Sequence, residues 1–460
     1  MLAAMTSSTL RPTAVLTGGL VVLLVGQTMA TMDGSIVNVA VPTIRADLDA
    51  GDAAVQLVVA GYVLTTGVLV VTCTRIGDLV GHRRAFLAGL AGFTLASLLC
   101  GLAPNAPALV AGRILQACGG ALMVPQVMSL IQLGHGGRSR DRALGLYSMV
   151  LALGVALGQV AGGLIVGADL FGLGWRPAFL VNVPVGLVLL ALGPRLLPAG
   201  ERVRGQRLDL PGAVVLAVGT GTLLAALVFG REHGWAWLGL GTGAAALAVF
   251  VRHERRTAQP LLDLGVLRPR GVRPGLAACF AVMGCYSAFL FTLTLHLQSG
   301  LGMSPLAAGV AFVPFALGFG AVSLGWTRLP ERLGRALPVL GPLAFAAGLA
   351  ALVPLARDGW PAAASAVLFV AGCGHAAGYS PLIARVCALA GPRHASAVSA
   401  LNTTGTMLAN VVGVAALGGV FLSAGDTWTG FSAGAGLVVV LLLATAVCAH
   451  RAVSRPTPRH

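Results

Sequence analysis

The chain has 460 residues, of which 57% are hydrophobic and only 10% are charged, and its mean hydropathy is +0.88. Soluble domains carry about 25% charged residues, so this composition excludes an ordinary soluble globular protein. The net charge of +15 does not decide the class, because basic chains include both nucleic-acid-binding proteins and membrane proteins with basic loops.

Apolar segments follow one another about every 30 residues, the length of a membrane-spanning helix of about 20 residues plus a short connection. They lack the strict alternation of barrel strands, so helices are expected. The weakest segments are 210–230 and 235–253, and twelve crossing helices with one re-entrant pair is the alternative. We expect an all-α integral membrane protein of about fourteen helices, at residues 14–34, 54–76, 84–104, 107–131, 141–167, 177–197, 210–230, 235–253, 274–298, 305–327, 336–356, 361–388, 395–423 and 428–450.

The arginines are distributed unevenly between the two sides of this arrangement, and the chain contains no lysine. Nearly all fall on the side of the N-terminus, whereas the opposite side receives only Arg45, Arg176, Arg231 and Arg357. By the positive-inside rule, both termini are cytoplasmic and the protein is a multi-pass protein of the inner (plasma) membrane. The basic charge therefore indicates topology and no nucleic-acid partner. Five tryptophans fall at the outer boundary, as an interfacial belt would: Trp175, Trp235, Trp237, Trp360 and Trp428.

A short loop pattern occurs twice. Residues 74–82 and 327–335 share Thr-Arg-aliphatic-x-acid-x-aliphatic-Gly-base, and each links the second and third helices of a six-helix set. The repeat predicts two related bundles, 1–200 and 266–460, with 201–265 as an inserted helix pair and its linkers. Two related six-helix halves are a transporter architecture, with the substrate site near the midplane between them.

One carboxylate and one arginine lie deep inside predicted helices. Asp33 is the only carboxylate well within a helix, and an acid in hydrocarbon is costly enough to indicate a proton site or a partner for a cationic substrate. A structural aspartate at the outer end of helix 1 is the alternative. Arg113 can pair with Asp33 and couple its protonation to a conformational change, or can instead extend to the outer interface. Gln116 lies one turn along the same face.

Other polar groups are candidates for a substrate cavity, with His375 as the next titrating group, although a hydrogen-bonded core histidine is the alternative reading. The eight cysteines form no Cys-x-x-Cys pair, so neither a disulfide framework nor a metal site is expected. No nucleotide-binding loop and no catalytic constellation occurs, so an enzyme is not expected. The main cavity candidates are Asn38, Gln116, Tyr286, His296 and His375.

Four motifs occur in one order: Asp-Gly-Ser-Ile-Val-Asn-Val-Ala-Val-Pro at 33–42, Gly-Asp…Gly…Arg-Arg at 77–84, Arg-Ile-Leu-Gln-Ala-Cys-Gly at 113–119 and Gly-Val-Ala-Leu-Gly-Gln-Val-Ala-Gly-Gly at 154–163. With them, the chain resembles the fourteen-helix drug:proton antiporters of the major facilitator superfamily from helix 1 to helix 14. It departs from the family pattern where Leu79 and His82 replace arginines and where Gln159 replaces a proline.

The resemblance implies a loop that latches one orientation of the transporter, formed by Gly77, Asp78, Gly81, Arg83 and Arg84. A simple turn with basic anchors is the alternative. It also implies that the helix 5 antiporter motif seals the cavity. The glycines at 154, 158 and 162 recur every four residues and leave a groove for close helix contact, although ordinary packing explains them too. The residues of this motif are Gly154, Gly158, Gln159, Gly162 and Gly163.

The function that these features predict is proton-driven export of a drug, antibiotic or amphipathic metabolite across the cytoplasmic membrane. Proton symport of a small organic nutrient is the alternative, but it does not require the helix 5 motif and would favour more fixed charges opposite an anionic substrate. The expected partners are a small-molecule substrate, protons and the lipid bilayer. The chain is expected to act as a monomer, with the proton gradient as its energy source and no cofactor.

Overall fold

The computed structural model describes residues 12–134, 137–198, 209–230, 233–257, 260–390 and 395–453, which are mainly helical and contain no β-strand. Thirteen helices in these ranges are long and apolar enough to cross a membrane. A further helix, Gly137–Gly167, has 31 residues, of which Leu157–Gly167 form an apolar segment. The all-α membrane class is thus confirmed, and the count of fourteen crossing helices stays a prediction that this further helix would complete.

The first six long helices are α1 Pro12–Asp47, α2 Asp52–Val80, α3 His82–Gly101, α4 Ala106–Gly134, α5 Gly137–Gly167 and α6 Pro177–Leu196, the last interrupted at Val181. Helix α1 is much longer than the predicted span 14–34, because an apolar run after Asp33 continues it and Pro42 does not end it. Asp33 consequently lies near the middle of α1, and the alternative that placed it at the outer end of that helix is wrong.

The remaining long helices are α7 Leu210–Phe229, α8 Leu238–Glu254, α9 Val272–Leu295, α10 Pro305–Arg328, α11 Glu331–Leu355, α12 Ala362–Ala390, α13 Ala395–Val412 and α14 Thr427–Val453. Two of these helices end in a π-helical turn, His296–Gly300 after α9 and Gly413–Leu417 after α13. The second of these turns leads into a last helical segment, Gly418–Leu422.

The packing of α3 on α4 recurs where α11 packs on α12. A Cβ atom on Gly119 would lie 2.9 Å from the Gly89 carbonyl oxygen, and one on Gly374 would lie 2.8 Å from the Gly341 carbonyl oxygen. Only glycine allows such close backbone contact between helices. The two helix pairs are thus built on the same contact. The predicted boundary between residues 200 and 201 falls outside the described residues, and the division into two bundles and an inserted pair stays a prediction.

Helices α7 and α8 form a hairpin through small residues: a Cβ on Gly243 would lie 2.9 Å from the Gly219 carbonyl oxygen. Helix α7 packs against α2 and α13, whereas α8 is largely exposed and packs mainly on α7. The exposed apolar surface of α8 is suited to lipid contact.

The predicted belt of tryptophans is only partly correct. Trp235 is 72% exposed, as a residue at a membrane interface would be. Trp175, in contrast, is fully buried, with its indole nitrogen donating to Asp47 at 2.9 Å and its ring packed edge-on against Phe179. Trp175 is therefore a core residue that joins the start of α6 to the end of α1, because its ring fills the space between them.

Candidate functional site

A buried polar network joins α1, α3, α4 and α6 in the middle of an otherwise apolar bundle. Arg113 Nη1 donates to Asp33 Oδ2 at 2.5 Å and to Gln116 Oε1 at 2.6 Å. Gln116 Nε2 in turn donates to Asp33 Oδ1 at 2.8 Å and to Ser97 Oγ at 2.8 Å. Asn182 Nδ2 donates to the same Oδ1 at 3.0 Å. The structure thus brings Asp33, Arg113 and Gln116 together. Ser97 and Asn182 complete the network.

The guanidinium of Arg113 is enclosed on its other sides as well. Its Nε donates to the Val58 carbonyl oxygen at 3.2 Å, and its Cζ lies 4.0 Å from the centre of the Tyr62 ring. Only 1% of Arg113 is exposed, so the alternative that it extends to the interface is wrong for this structure. A cation this deep is tolerated because a carboxylate, an amide, a carbonyl and an aromatic face surround it.

The chemical consequence follows from the shared charge. Each of the two ions compensates the other, and removing one partner of a buried pair typically costs about 3–5 kcal/mol. The ion pair therefore ties α1 to α4 through opposite charges in the interior of the bundle.

The helix 5 motif packs directly on α1, beside Asp33. A Cβ on Gly158 would lie 2.7 Å from the Met32 carbonyl oxygen and 2.8 Å from Ser35 Cβ. Gly154 and Gly162 meet Thr31 and Ile36 in the same way, with closest distances of 2.8 Å for both. The every-fourth-residue glycines thus form one continuous groove along α1.

The same motif also contacts the second half of the chain. A Cβ on Gly163 would lie 2.6 Å from the Pro305 carbonyl oxygen, and Gly309 of α10 faces the Gln159 carbonyl oxygen. The Gln159 side chain is buried, and neither its amide nitrogen nor its amide oxygen has a hydrogen-bond partner. Nearby, Gln298 donates to the Val39 carbonyl oxygen of α1 at 3.0 Å. Helix α5 and the second half of α1 thus contact the segment formed by the end of α9 and the start of α10. We call this contact the seam.

The predicted latch lies at the tight turn between α2 and α3. Gly81 has φ +97°, which favours glycine, and Asp78 Oδ1 lies 3.3 Å from His82 Nε2. His82 Nδ1 and Gln126 Oε1 of α4 are 2.8 Å apart, and Gly77 leaves room for the Gln126 side chain.

Beyond the turn, Arg83 donates to the Leu197 carbonyl oxygen after α6, and Arg84 is exposed. The predicted latch residues therefore contact α4 and the end of α6, and their role as a conformational latch stays a prediction.

Of the five predicted cavity residues, Tyr286 and His375 stack on each other, whereas the other three lie apart from them. Asn38 donates to the Gly34 carbonyl oxygen within α1, and Gln116 belongs to the buried network. His296 lies at the far end of α9, where it donates to the Ala356 carbonyl oxygen at 2.8 Å and stacks on Phe431. Its expected place in a central cavity is wrong, because the π-helical turn directs it to the α11–α12 connection.

His375 of α12 lies in an aromatic cluster. Its ring is 4.6 Å from that of Tyr286 and 4.9 Å from that of Phe319, with Phe315 and Phe345 slightly farther away. Neither ring nitrogen has a hydrogen-bond partner, and the residue is 2% exposed. His375 is therefore a core residue that is packed by aromatic rings and hydrogen-bonded to no described protein group, and its role as a titrating group stays a prediction.

A separate apolar cavity of about 630 Å³ lies where α7 meets both halves of the chain. None of the predicted cavity residues lines it. Its walls come from α2, α7, α9 and α13, through residues such as Leu64, Leu216, Thr220, Phe280 and Leu408. Ligand sites for drug-sized molecules have volumes of about 300–1,000 Å³ and mostly apolar walls, which this cavity matches.

Sequence reasoning missed four residues of these sites. Asn182 was within reach, because it is a single amide side chain inside the apolar run that forms α6. Ser97 and Tyr62 carried no signal, since a serine or tyrosine in a membrane helix commonly serves packing or local hydrogen bonding. Gln126 is likewise one amide in an apolar helix, and only the fold places it against the α2–α3 turn.

The Major Facilitator Superfamily sequence model matches residues 23–414 and also 275–460. The chain is 36% identical to puromycin resistance protein pur8 of Streptomyces alboniger over 87% of this chain and 80% of that protein. It is 31% identical to the methylenomycin A resistance protein of Streptomyces coelicolor over 95% and 92%. A probable actinorhodin transporter of Streptomyces coelicolor is 38% identical over 68% of this chain, which spans only 56% of that relative's length.

Solved structures agree on the fold. A peptide transporter, POT, crystallised with sulfate, superimposes with a TM-score of 0.68 at 18% identity, covering 96% of this chain and 99% of the transporter. The inward-open xylose transporter XylE from E. coli superimposes with a TM-score of 0.61 at 13% identity, covering 93% and 95%. At such identities the likeness concerns the fold alone. By its sequence match, this chain belongs to the Major Facilitator Superfamily, and its relatives in that family include antibiotic resistance and antibiotic export proteins.

Proposed function

We propose that this protein exports an amphipathic organic compound, of the antibiotic or drug class, across the cytoplasmic membrane in exchange for protons. The observation that carries the proposal is the buried pair of Asp33 and Arg113, 2.5 Å apart at the centre of the first bundle. The names of the relatives, which include puromycin resistance and cephamycin export, support the direction of transport and the class of compound.

In this mechanism, the proton binds the Asp33 carboxylate and cancels its charge. Arg113, on α4, then loses its counter-ion but stays in contact with α2 through the Tyr62 ring and the Val58 carbonyl oxygen. Helix α1 is released from α4, and because α1 also packs in the α5 groove, its movement reaches the seam. Loss of the proton restores the ion pair and reverses the movement. Alternating access is the outcome, with the seam as the closed side.

The proposed orientation places both termini in the cytoplasm and the seam on the outer side, so the described state is closed to the exterior. One proton moving inward supplies about 2.3 kcal/mol per 100 mV and about 1.4 kcal/mol per pH unit. At about 100 mV and one pH unit, the sum of about 3.7 kcal/mol sustains roughly a 500-fold gradient of a neutral substrate. The protein acts as a monomer in this proposal, with the proton gradient as its only energy source.

The apolar cavity beside α7 supports the substrate class. Its walls offer two hydroxyls, from Thr220 and Thr404, and one thiol, from Cys285, among aliphatic and phenylalanine side chains. Such walls bind the apolar part of a compound and leave its polar groups to the network region or to water. A small polar nutrient, the substrate of the symport alternative, would find few partners there.

The test is Asp33→Asn in the purified full chain, reconstituted into proteoliposomes with an imposed proton gradient. Asparagine keeps the shape and can still accept from Gln116, but it does not titrate. We expect uphill transport of puromycin, used as the probe, and substrate-induced proton release to be lost, while downhill exchange continues. Asp47→Asn is the matched control, because Asp47 forms a partly exposed ion pair with Arg176 at 2.7 Å outside the network.

If Asp33→Asn still concentrates the probe against its gradient, proton coupling through this carboxylate is refuted. If the wild-type protein moves the probe together with protons in the same direction, the symport alternative replaces export.

A further inference from the structure

Three chemically reactive side chains meet where the hairpin of α7 and α8 has its two open ends. Asp209 immediately precedes α7, and His253 and Glu254 are the last residues of α8. One ligand-type atom from each lies within 4.8 Å of those of the other two. His253 Nε2 is 2.8 Å and 3.0 Å from the two carboxylate oxygens of Asp209. This trio lies outside the network and the seam described above.

Part of the trio has an evident local role. Asp209 Oδ1 accepts from the Gly212 amide at 3.0 Å and so caps α7, and Glu254 Oε2 accepts from the Leu262 amide at 2.6 Å. One carboxylate oxygen of Glu254 takes no part in these bonds. Glu254 is 3% exposed, and its Oε1 has no hydrogen-bond partner.

The orphaned oxygen is directed into the trio. Asp209 Oδ2 and Glu254 Oε1 both lie within 3.0 Å of the point where a Cβ on Gly212 would stand. Two ionised carboxylate oxygens cannot donate to each other, and an unsatisfied buried carboxylate oxygen is costly, so Asp209 and Glu254 require either a shared proton or a cation between them. A cation between the two carboxylates and the imidazole satisfies all three groups at once.

We propose that Asp209, His253 and Glu254 bind a divalent transition metal ion, with Zn²⁺ as the preferred ion. One imidazole and two carboxylates are ligands that Zn²⁺ accepts, and a water molecule completes four-fold coordination. At bond lengths of about 2.0–2.2 Å, two ligand atoms of a four-coordinate Zn²⁺ lie about 3.4 Å apart. His253 Nε2 and the Asp209 oxygen that binds the ion must therefore separate by about 0.5 Å from their direct contact at 2.8 or 3.0 Å.

The position of the site suggests what the ion does. It joins the start of α7 to the end of α8, and through Glu254 and the Leu262 amide it holds the linker that follows. Arg75 of α2 donates to the Pro260 carbonyl oxygen of the same linker. A bound ion therefore fixes the inserted pair and its linker against the first bundle. This inference does not depend on what the protein transports.

No sequence motif predicts this site, and no metal site is expected from the sequence. Asp209 and His253 are 44 residues apart, and Glu254 follows His253 directly, so the spacing matches no common zinc pattern. The hairpin of α7 and α8 is what brings the two ends together.

The experiment titrates ZnCl₂ into the purified full chain in detergent, without a histidine tag and after removal of metal by a chelator, with calorimetric detection. We expect saturable binding of one ion per chain. His253→Gln and Glu254→Gln should each weaken it by at least about 10- to 100-fold, the loss seen when groups supporting a metal ligand are removed. Both variants keep an oxygen acceptor, and Glu254→Gln can still accept from the Leu262 amide.

Two matched controls lie outside the trio, one at the far end of the hairpin and one in the linker that follows α8. His233→Gln removes an exposed histidine at the other end of the hairpin, and Asp263→Asn changes an exposed capping aspartate. Both should bind Zn²⁺ like the wild type. Absence of saturable binding in the wild type, or equal binding by the two trio variants, overturns the proposal.

A second measurement covers the case in which both trio variants fail to fold. Co²⁺ bound to the wild-type protein should give the intense visible absorption of a four-coordinate ion. The pale spectrum of the hydrated ion at one equivalent would instead overturn the site.

Discussion

Replacing Gly158 by alanine tests how the α5 groove supports the buried ion pair. The new Cβ would lie 2.7 Å from the Met32 carbonyl oxygen, whereas ordinary contacts of this kind are 3.4 Å or longer. A backbone oxygen cannot rotate away, so α1 and α5 must separate by about 0.7 Å, a strain of the kind that typically costs about 1–3 kcal/mol. Asp33 lies between Met32 and Ser35, so its 2.5 Å and 2.8 Å hydrogen bonds must stretch or shift.

We expect Gly158→Ala to lower both the thermal stability in detergent and the transport rate in proteoliposomes, and Gly158→Leu to abolish transport while the protein still inserts into the membrane. The control is Gly34→Ala, beside Asp33 on the same helix, where an added Cβ meets nothing within 4 Å. That variant should transport normally. If Gly158→Ala has the same unfolding temperature and the same transport rate as the wild type, α1 and α5 do not pack closely at this position and the prediction is refuted.

Two further predictions concern the network and the topology. Asn182→Leu should lower the free energy of unfolding by about 1–3 kcal/mol, measured by denaturant titration in detergent, because Asp33 Oδ1 loses a buried donor. An unchanged unfolding midpoint would show that water replaces the amide. Reporter fusions at Gly51 and Pro260 should report the exterior and the cytoplasm respectively, and a shared side for the two would contradict the predicted orientation.

The membrane class was accessible from the sequence because hydropathy acts over long windows and charge asymmetry marks the loops. The pairing of Asp33 with Arg113 was also within reach, since a buried ion in a membrane bundle requires a counter-ion and few candidates exist. What the sequence did not contain was the rest of their surroundings. Asn182 and Ser97 reach the carboxylate only through the packing of α6 and α3, which no local pattern specifies.

The sequence-based errors have a common physical origin. The length of α1 was underestimated because hydropathy falls at a polar patch, although the helix continues through it. Trp175 was assigned to an interface because tryptophan is frequent there, whereas its position between α1 and α6 makes it a core residue. His296 was placed in the cavity because it lies in an apolar run, but a π-helical turn directs it elsewhere. In each case, the packing of the surrounding helices decided the outcome against the average behaviour of the residue type.

The glycine contacts of the seam are mutual, since Gly163 lies against the backbone of α10 while Gly309 lies against the backbone of α5. Neither helix can rotate about its axis or slide by one residue without driving a side chain into the main chain of the other. The two can part only by moving directly away from each other. The seam therefore closes in one register only, and helices that have moved apart must return to that register to close it again.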